Sequence, residues 1–182
     1  MDAEKNCAQL TSDQIGSFKS AIVDWVGIAM YLQRRLYEAK SAMVRPGRDE
    51  ALAPEIPRMQ LAMGEVHFLS VSLRQINEHL NYLSPYLDGK MLAAANAYQG
   101  RYTGSELKSI RDVFEHRAKY LAGKGDFQEK IKEPGSLASF GGTARTKHES
   151  SLTIGSLGYK ADISDLMQRV RQIKNSFTAD DD

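Results

Sequence analysis

The sequence predicts an all-α protein: an antiparallel four-helix bundle that carries a small β-hairpin and a C-terminal helix. Three observations predict it. Apolar residues step by three and four along residues 15–43 and again along 59–83, the spacing that gives a helix one buried face. Two capping-box strings, Thr11-x-x-Gln14 and Thr103-x-x-Glu106, stand where helices would open. The strongest chain breakers, Arg45-Pro46-Gly47, Ser84-Pro85 and Gly123-Lys124-Gly125, fall between periodic runs.

The first helix opens at the Thr11 box, with Leu10 and Ile15 at the two positions of a hydrophobic staple. Its stripe is Ile15, Phe18, Ile22, Trp25, Ala29, Leu32, Leu36, Ala39 and Met43. A polar, proline-containing linker follows over residues 45–57. The second helix carries Met59, Ala62, Val66, Leu69, Leu73, Ile76, Leu80 and Leu83, a seam suited to an antiparallel partner. A shorter, alanine-rich helix spans 88–99 and is expected to stop at Gly100. The Thr103 box then opens a helix through Leu121. Residues 1–125 thus read as the bundle. Residues 126–182 read as an attachment on the same domain, with two short strands, 136–140 and 152–159, pairing as a hairpin. Asp162 caps a last helix that turns Ile163, Leu166, Val170, Ile173 and Phe177 inward.

Length and composition bound the function. The chain has 182 residues, and that length suffices for one domain with a core of its own. Cys7 is the sole cysteine, so no internal disulfide forms, and Asn-x-Ser/Thr is absent. A reducing, cytoplasmic setting is expected. The start Met1-Asp2-Ala3-Glu4-Lys5 is polar and acidic, unlike the basic opening of a secretion signal. No run approaches 18 uncharged apolar residues, so no membrane span is expected. The net charge of +1 argues against broad nucleic-acid coating. Residues 101–148 nevertheless carry 10 basic and 6 acidic side chains, a local net of +4. That surplus is either a solvated face or a local phosphate-binding one.

Nucleotide loops, a nucleophile elbow and the His-Glu-x-x-His zinc signature are absent. The four histidines are spread along the chain, with His67 and His79 twelve residues apart on the second helix, and Glu78-His79 and Glu115-His116 are adjacent rather than at the i, i+3 spacing of di-iron bundles. No metal and no cofactor are expected.

The string that carries chemistry is Arg111-Asp112-Val113-Phe114-Glu115-His116. On a helix, Asp112, His116 and Tyr120 line one face, so Asp112 can hold one imidazole nitrogen and leave the other for proton transfer. Arg111 offers charge-assisted contacts to a phosphate. The plain alternative is an ordinary i, i+4 ion pair between Arg111 and Glu115 with His116 at the bundle's edge. The same spacing recurs in Arg74-Gln75-Ile76-Asn77-Glu78-His79.

The Arg111-x4-His116 string resembles the signature of the HEPN superfamily, helical-bundle proteins of prokaryotic toxin and defence systems. Asp112 matches the polar residue that often follows the arginine. The resemblance covers about ten residues and extends loosely over 12–122 through the helical layout. It implies a metal-independent endoribonuclease, a homodimer whose Arg and His pairs meet at the subunit interface, and RNA as substrate. His116 would then move protons and Arg111 would stabilise phosphate charge. Asp112, Glu115 and Tyr120 would support them, with Lys119 and Lys124 as added phosphate contacts. The family's tyrosine falls two residues after the histidine, whereas Tyr120 falls four after. The rival expectation is a non-catalytic bundle that presents a surface to an antitoxin, another partner protein or itself. The two differ in exposure: Arg111 and His116 opening into a shared cleft at a dimer axis favour catalysis, and the two lying buried or paired with neighbours on a flat face favour binding.

Overall fold

The computed structural model describes residues 9–43, 55–105, 107–115, 139–141, 153–156 and 159–178. These residues are mostly helical. Helix α1 spans Ser12–Met43, α2 Glu55–Leu83, α3 Gly89–Thr103, α4 Leu107–Glu115 and α5 Ser164–Phe177, with a single 3-10 turn at Ser84–Tyr86. Three short strands, β1 Ser139–Gly141, β2 Thr153–Ser156 and β3 Tyr159–Asp162, precede α5.

Helix α1 begins where the capping box places it. Gln14 Oε1 accepts from the Thr11 N–H at 2.8 Å, and Thr11 Oγ1 accepts from the Gln14 N–H at 3.3 Å. This reciprocal pair satisfies two N–H groups that have no acceptor inside the helix. Its start is also tied to the turn after α2, because the Leu10 N–H donates to the Tyr86 hydroxyl at 2.9 Å.

Helices α1 and α2 pack along their length. Ile22, Ala29, Leu32 and Leu36 of the expected stripe are buried, as are Val66, Leu69, Leu73, Ile76, Leu80 and Leu83 opposite. Each fully buried Leu or Ile contributes about 1.5–3 kcal/mol, so this seam is the main apolar store of the fold. Phe18, Trp25 and Ile15 sit at its rim, packed against it while partly exposed. Val26 and Gln33 are buried although neither belongs to the expected stripe. A helix touched from two sides needs a wider apolar arc than a single seam, and α5 as well as α2 packs on α1.

Several boundaries differ from the sequence reading. Helix α2 starts at Glu55, so Pro57 lies in its first turn rather than in the linker. The proline has no N–H to lose there. Helix α3 runs through Gly100 to Thr103. A mid-helix glycine costs only about 1 kcal/mol, and Tyr98 and Tyr102 anchor the extra turn in and against the core. Thr103 therefore closes α3 instead of capping α4, with its hydroxyl donating to the Gln99 carbonyl at 2.9 Å. Helix α4 begins at Leu107, and residues 116–121 of the expected helix lie outside the described residues.

The strands form one antiparallel sheet in the order β1-β2-β3. Phe140 pairs with Ile154, and Ile154 with Ala161. The segment 152–159, expected as one strand, divides: β2 ends at Ser156 and the chain returns as β3 from Tyr159, with two residues between, the length of a tight hairpin loop. Ile154 and Ala161 are buried, and the sheet touches α4 through β2 and β3. Ile163 rather than the expected Asp162 holds the cap position of α5; Asp162 stands one residue earlier, at the end of β3, and its carboxylate accepts from the Ser164 N–H at 2.9 Å. Helix α5 buries Leu166, Met167, Val170 and Ile173 and packs on both α3 and α1. Arg101–Asp165 at 3.1 Å and Arg171–Gln33 at 2.9 Å tie it to those two helices.

Candidate functional site

Arg111 stands in the middle of α4, between two apolar anchors. Leu107 and Ile110 are buried, and α4 rests on α2 and the sheet through this side. That seating draws the neighbouring Arg111 toward α2, so its side chain is only 14% exposed. The expected i, i+4 pair forms: Arg111 Nε lies 3.4 Å from Glu115 Oε2. The contact is not a hydrogen bond, and the buried Nε has no hydrogen-bond partner among the described residues.

The second arginine of the duplicated motif faces the same carboxylate. Arg74 Nε donates to Glu78 Oε1 at 2.6 Å, and its Nη1 lies 4.0 Å from Glu115 Oε1. Two guanidinium groups from α2 and α4 thus flank Glu115, and Glu78 balances the set. Tyr102 of α3 completes it. Burial pushes the Tyr102 hydroxyl above its ordinary range, the charges of Arg111 and Arg74 oppose this, and Glu78 and Glu115 add to it. Its ring stacks on Tyr98, centroids 6.1 Å apart. Tyr98 is fully buried and donates its hydroxyl to the Leu73 carbonyl at 2.6 Å; burial, and secondarily the neighbouring Tyr102, push its hydroxyl well above the ordinary tyrosine range.

Of the expected site residues, Arg111, Asp112 and Glu115 lie on α4, and Asp112 is half-buried. His116, Lys119, Tyr120 and Lys124 lie outside the described residues. His79 is not with the arginines. Its Nδ1 meets the Gln75 carbonyl at 2.7 Å, and its ring lies edge-on to Phe18 of α1, 5.7 Å away. Five residues of helix turn it about 140° from Arg74.

Glu78 and Tyr102 are the members that sequence reasoning missed. A signal for Glu78 was present, since both strings read Arg-x3-Glu-His and each arginine meets the glutamate four residues on. Nothing in the sequence marked Tyr102, because its place depends on how α3 packs on α2. In the basic stretch, Arg101 and Arg111 are paired with Asp165 and Glu115. Among the described residues, no group of three or more His, Cys, Asp and Glu is placed to hold a metal ion. By length and composition, Ser12–Glu38 of α1 is apolar enough to cross a membrane. In the fold, the same segment turns Ile22, Val26, Ala29, Leu32 and Leu36 into the core. Comparison of the chain with family models, curated proteins and solved structures yields no match.

Proposed function

We propose that the chain is a HEPN-like four-helix bundle that works as a non-catalytic interaction protein in a cytoplasmic stress, defence or toxin–antitoxin setting. The observation that carries this reading is the state of Arg111: its side chain is 14% exposed and pairs with Glu115 of its own helix. A guanidinium that must meet a scissile phosphate needs open approach and unspent charge. Here Glu115, shared between Arg111 and Arg74, and Glu78 on Arg74 balance that charge within the chain. The bundle itself is supported by a closed ring of packing, α1 on α2, α2 on α3, α3 on α5 and α5 on α1. In this arrangement the C-terminal helix is a member of the bundle, and α4 with the sheet leans on its side.

One observation favours the second reading, a metal-independent endoribonuclease. Among the described residues, the buried Arg111 Nε keeps a donor that no hydrogen bond uses, and an unmet buried donor calls for an explanation. In that reading Arg111 would release Glu115 to hold an RNA phosphate, with His116 as acid–base. The test is RNA cleavage by the purified chain in chelator. The interaction reading expects no cleavage. Metal-independent cleavage that His116→Ala abolishes, with helical circular dichroism unchanged, would overturn it and install the second reading.

A further inference from the structure

Three of the large apolar side chains left exposed gather at one level of the α1–α2 pair. Ile28 is 42% exposed, and Tyr31 and Phe68 are each 61% exposed. The pair's register is fixed at both ends, where Arg35 meets Glu65 at 3.0 Å and Phe18 stacks on Tyr82. Both contacts describe the same antiparallel alignment. It sets Phe68 opposite residue 32, one residue from Tyr31. Among the described residues, the other large aliphatic side chains are buried or half-buried, and this patch is left open.

The patch belongs to a second stripe on α1. Asp24, Ile28, Tyr31 and Arg35 step by four, three and four, the spacing of a helix-pairing seam, on the side turned from the core. The stripe is self-complementary. Two copies of α1 laid antiparallel, with the two-fold axis between residues 29 and 30, set Ile28 against Tyr31 of the second copy. The same register sets Asp24 against Arg35 of the second copy, and symmetry repeats both contacts. Asp24 is exposed and makes no ion pair among the described residues. Arg35 gives its Nε to Glu65 and has an Nη1 3.8 Å from Glu38, and a guanidinium's five donors leave capacity for another carboxylate.

We propose that this face of α1, extended by Phe68 of α2, docks on the same face of a second copy of the chain. The inference rests on the interaction reading and names its partner. Charge selects a second copy over a lipid surface: hydrocarbon would leave Asp24 and Arg35 without partners, whereas the two-fold register satisfies both.

Sedimentation velocity of the full chain over a concentration series tests the proposal, and it does not depend on the RNA assay, so either reading can fail alone. The expected result is a concentration-dependent dimer. Asp24→Arg would place like charges together twice and weaken the dimer at least about tenfold, with helical circular dichroism unchanged because Asp24 is exposed. The register has its own test. In a Cys7→Ser background, Ile28→Cys and Tyr31→Cys chains mixed under mild oxidation should cross-link faster than either chain alone. A chain that stays monomeric at every concentration overturns the proposal. So does a dimer that Asp24→Arg leaves intact and whose cysteines show no preference for the mixed pair.

Discussion

Helix α2 has two sides that are held by different physics. Toward α1 it offers Val66, Leu69, Leu73, Ile76, Leu80 and Leu83, all with no exposed area. Toward α4 it offers Arg74 and Glu78, each more than a third exposed at the side chain, against Arg111 and Glu115. The first side stabilises by removing hydrocarbon from water and tolerates any partner of the right volume. The second gains little net stability, since exposed pairs contribute about 0–1 kcal/mol. Its partners are fixed, though, because losing one leaves an uncompensated, partly buried charge. The aliphatic side holds α2 in the fold, and the charged side decides which way α4 sits on it.

The largest expected effect lies on the aliphatic side. Leu73→Ala should cost about 2–5 kcal/mol, read as a lowered midpoint in urea unfolding. A loss well under that range would mean that the seam is loosely packed and the contrast overstated. On the charged side, Glu115→Ala leaves Arg74 and Arg111 facing each other, and a loss of about 1–3 kcal/mol is expected. Replacing Arg74 as well should return part of it. Additive losses in that double-mutant cycle would break the idea of a coupled cluster.

Alkaline pH probes the boundary between the two regions, where Tyr98 and Tyr102 stack. Burial raises both hydroxyls above the ordinary value of 10.0. Below that value both states are neutral and the full stability is present. Above it the unfolded chain ionises first, so stability falls as pH rises from about 10 through the folded-state values. Tyr98→Phe should flatten this decline while lowering stability at neutral pH by about 1 kcal/mol through loss of the bond to Leu73. An unchanged pH slope in that variant would place the alkaline loss elsewhere.

The smallest effect belongs to neither region. Gly16 is exposed in the first turns of α1, and a Cβ there would meet nothing within 4 Å. Gly16→Ala should raise thermal stability by about 0.5–1 kcal/mol. A loss instead would show that something packs on that face.

The two regions also differ in how legible they were. Most of the aliphatic seam could be read from the sequence, because a helix repeats its facing every three to four residues; Val26 and Gln33 escaped because α5 covers a second side of α1. The Thr11 box was legible too, since a cap needs only neighbours a few positions away. The Thr103 box misled for the converse reason. Its pattern fits a cap, but Thr103 was already held by the Gln99 carbonyl in the preceding helix. The hairpin segment 152–159 misled because alternation alone does not show where a strand turns back.

The sequence by itself determined the helical class, the two long stripes, the Thr11 cap and the Arg111–Glu115 pair, all of which follow from local spacing. Only the tertiary structure decided that α5 packs on both α1 and α3. It alone brought Arg74 to Glu115, placed Tyr102 among the charges, and left Ile28, Tyr31 and Phe68 outside. Those outcomes depend on which faces of distant helices meet. Contacts between residues tens of positions apart are set by the summed packing of whole helices, and no local pattern encodes that sum.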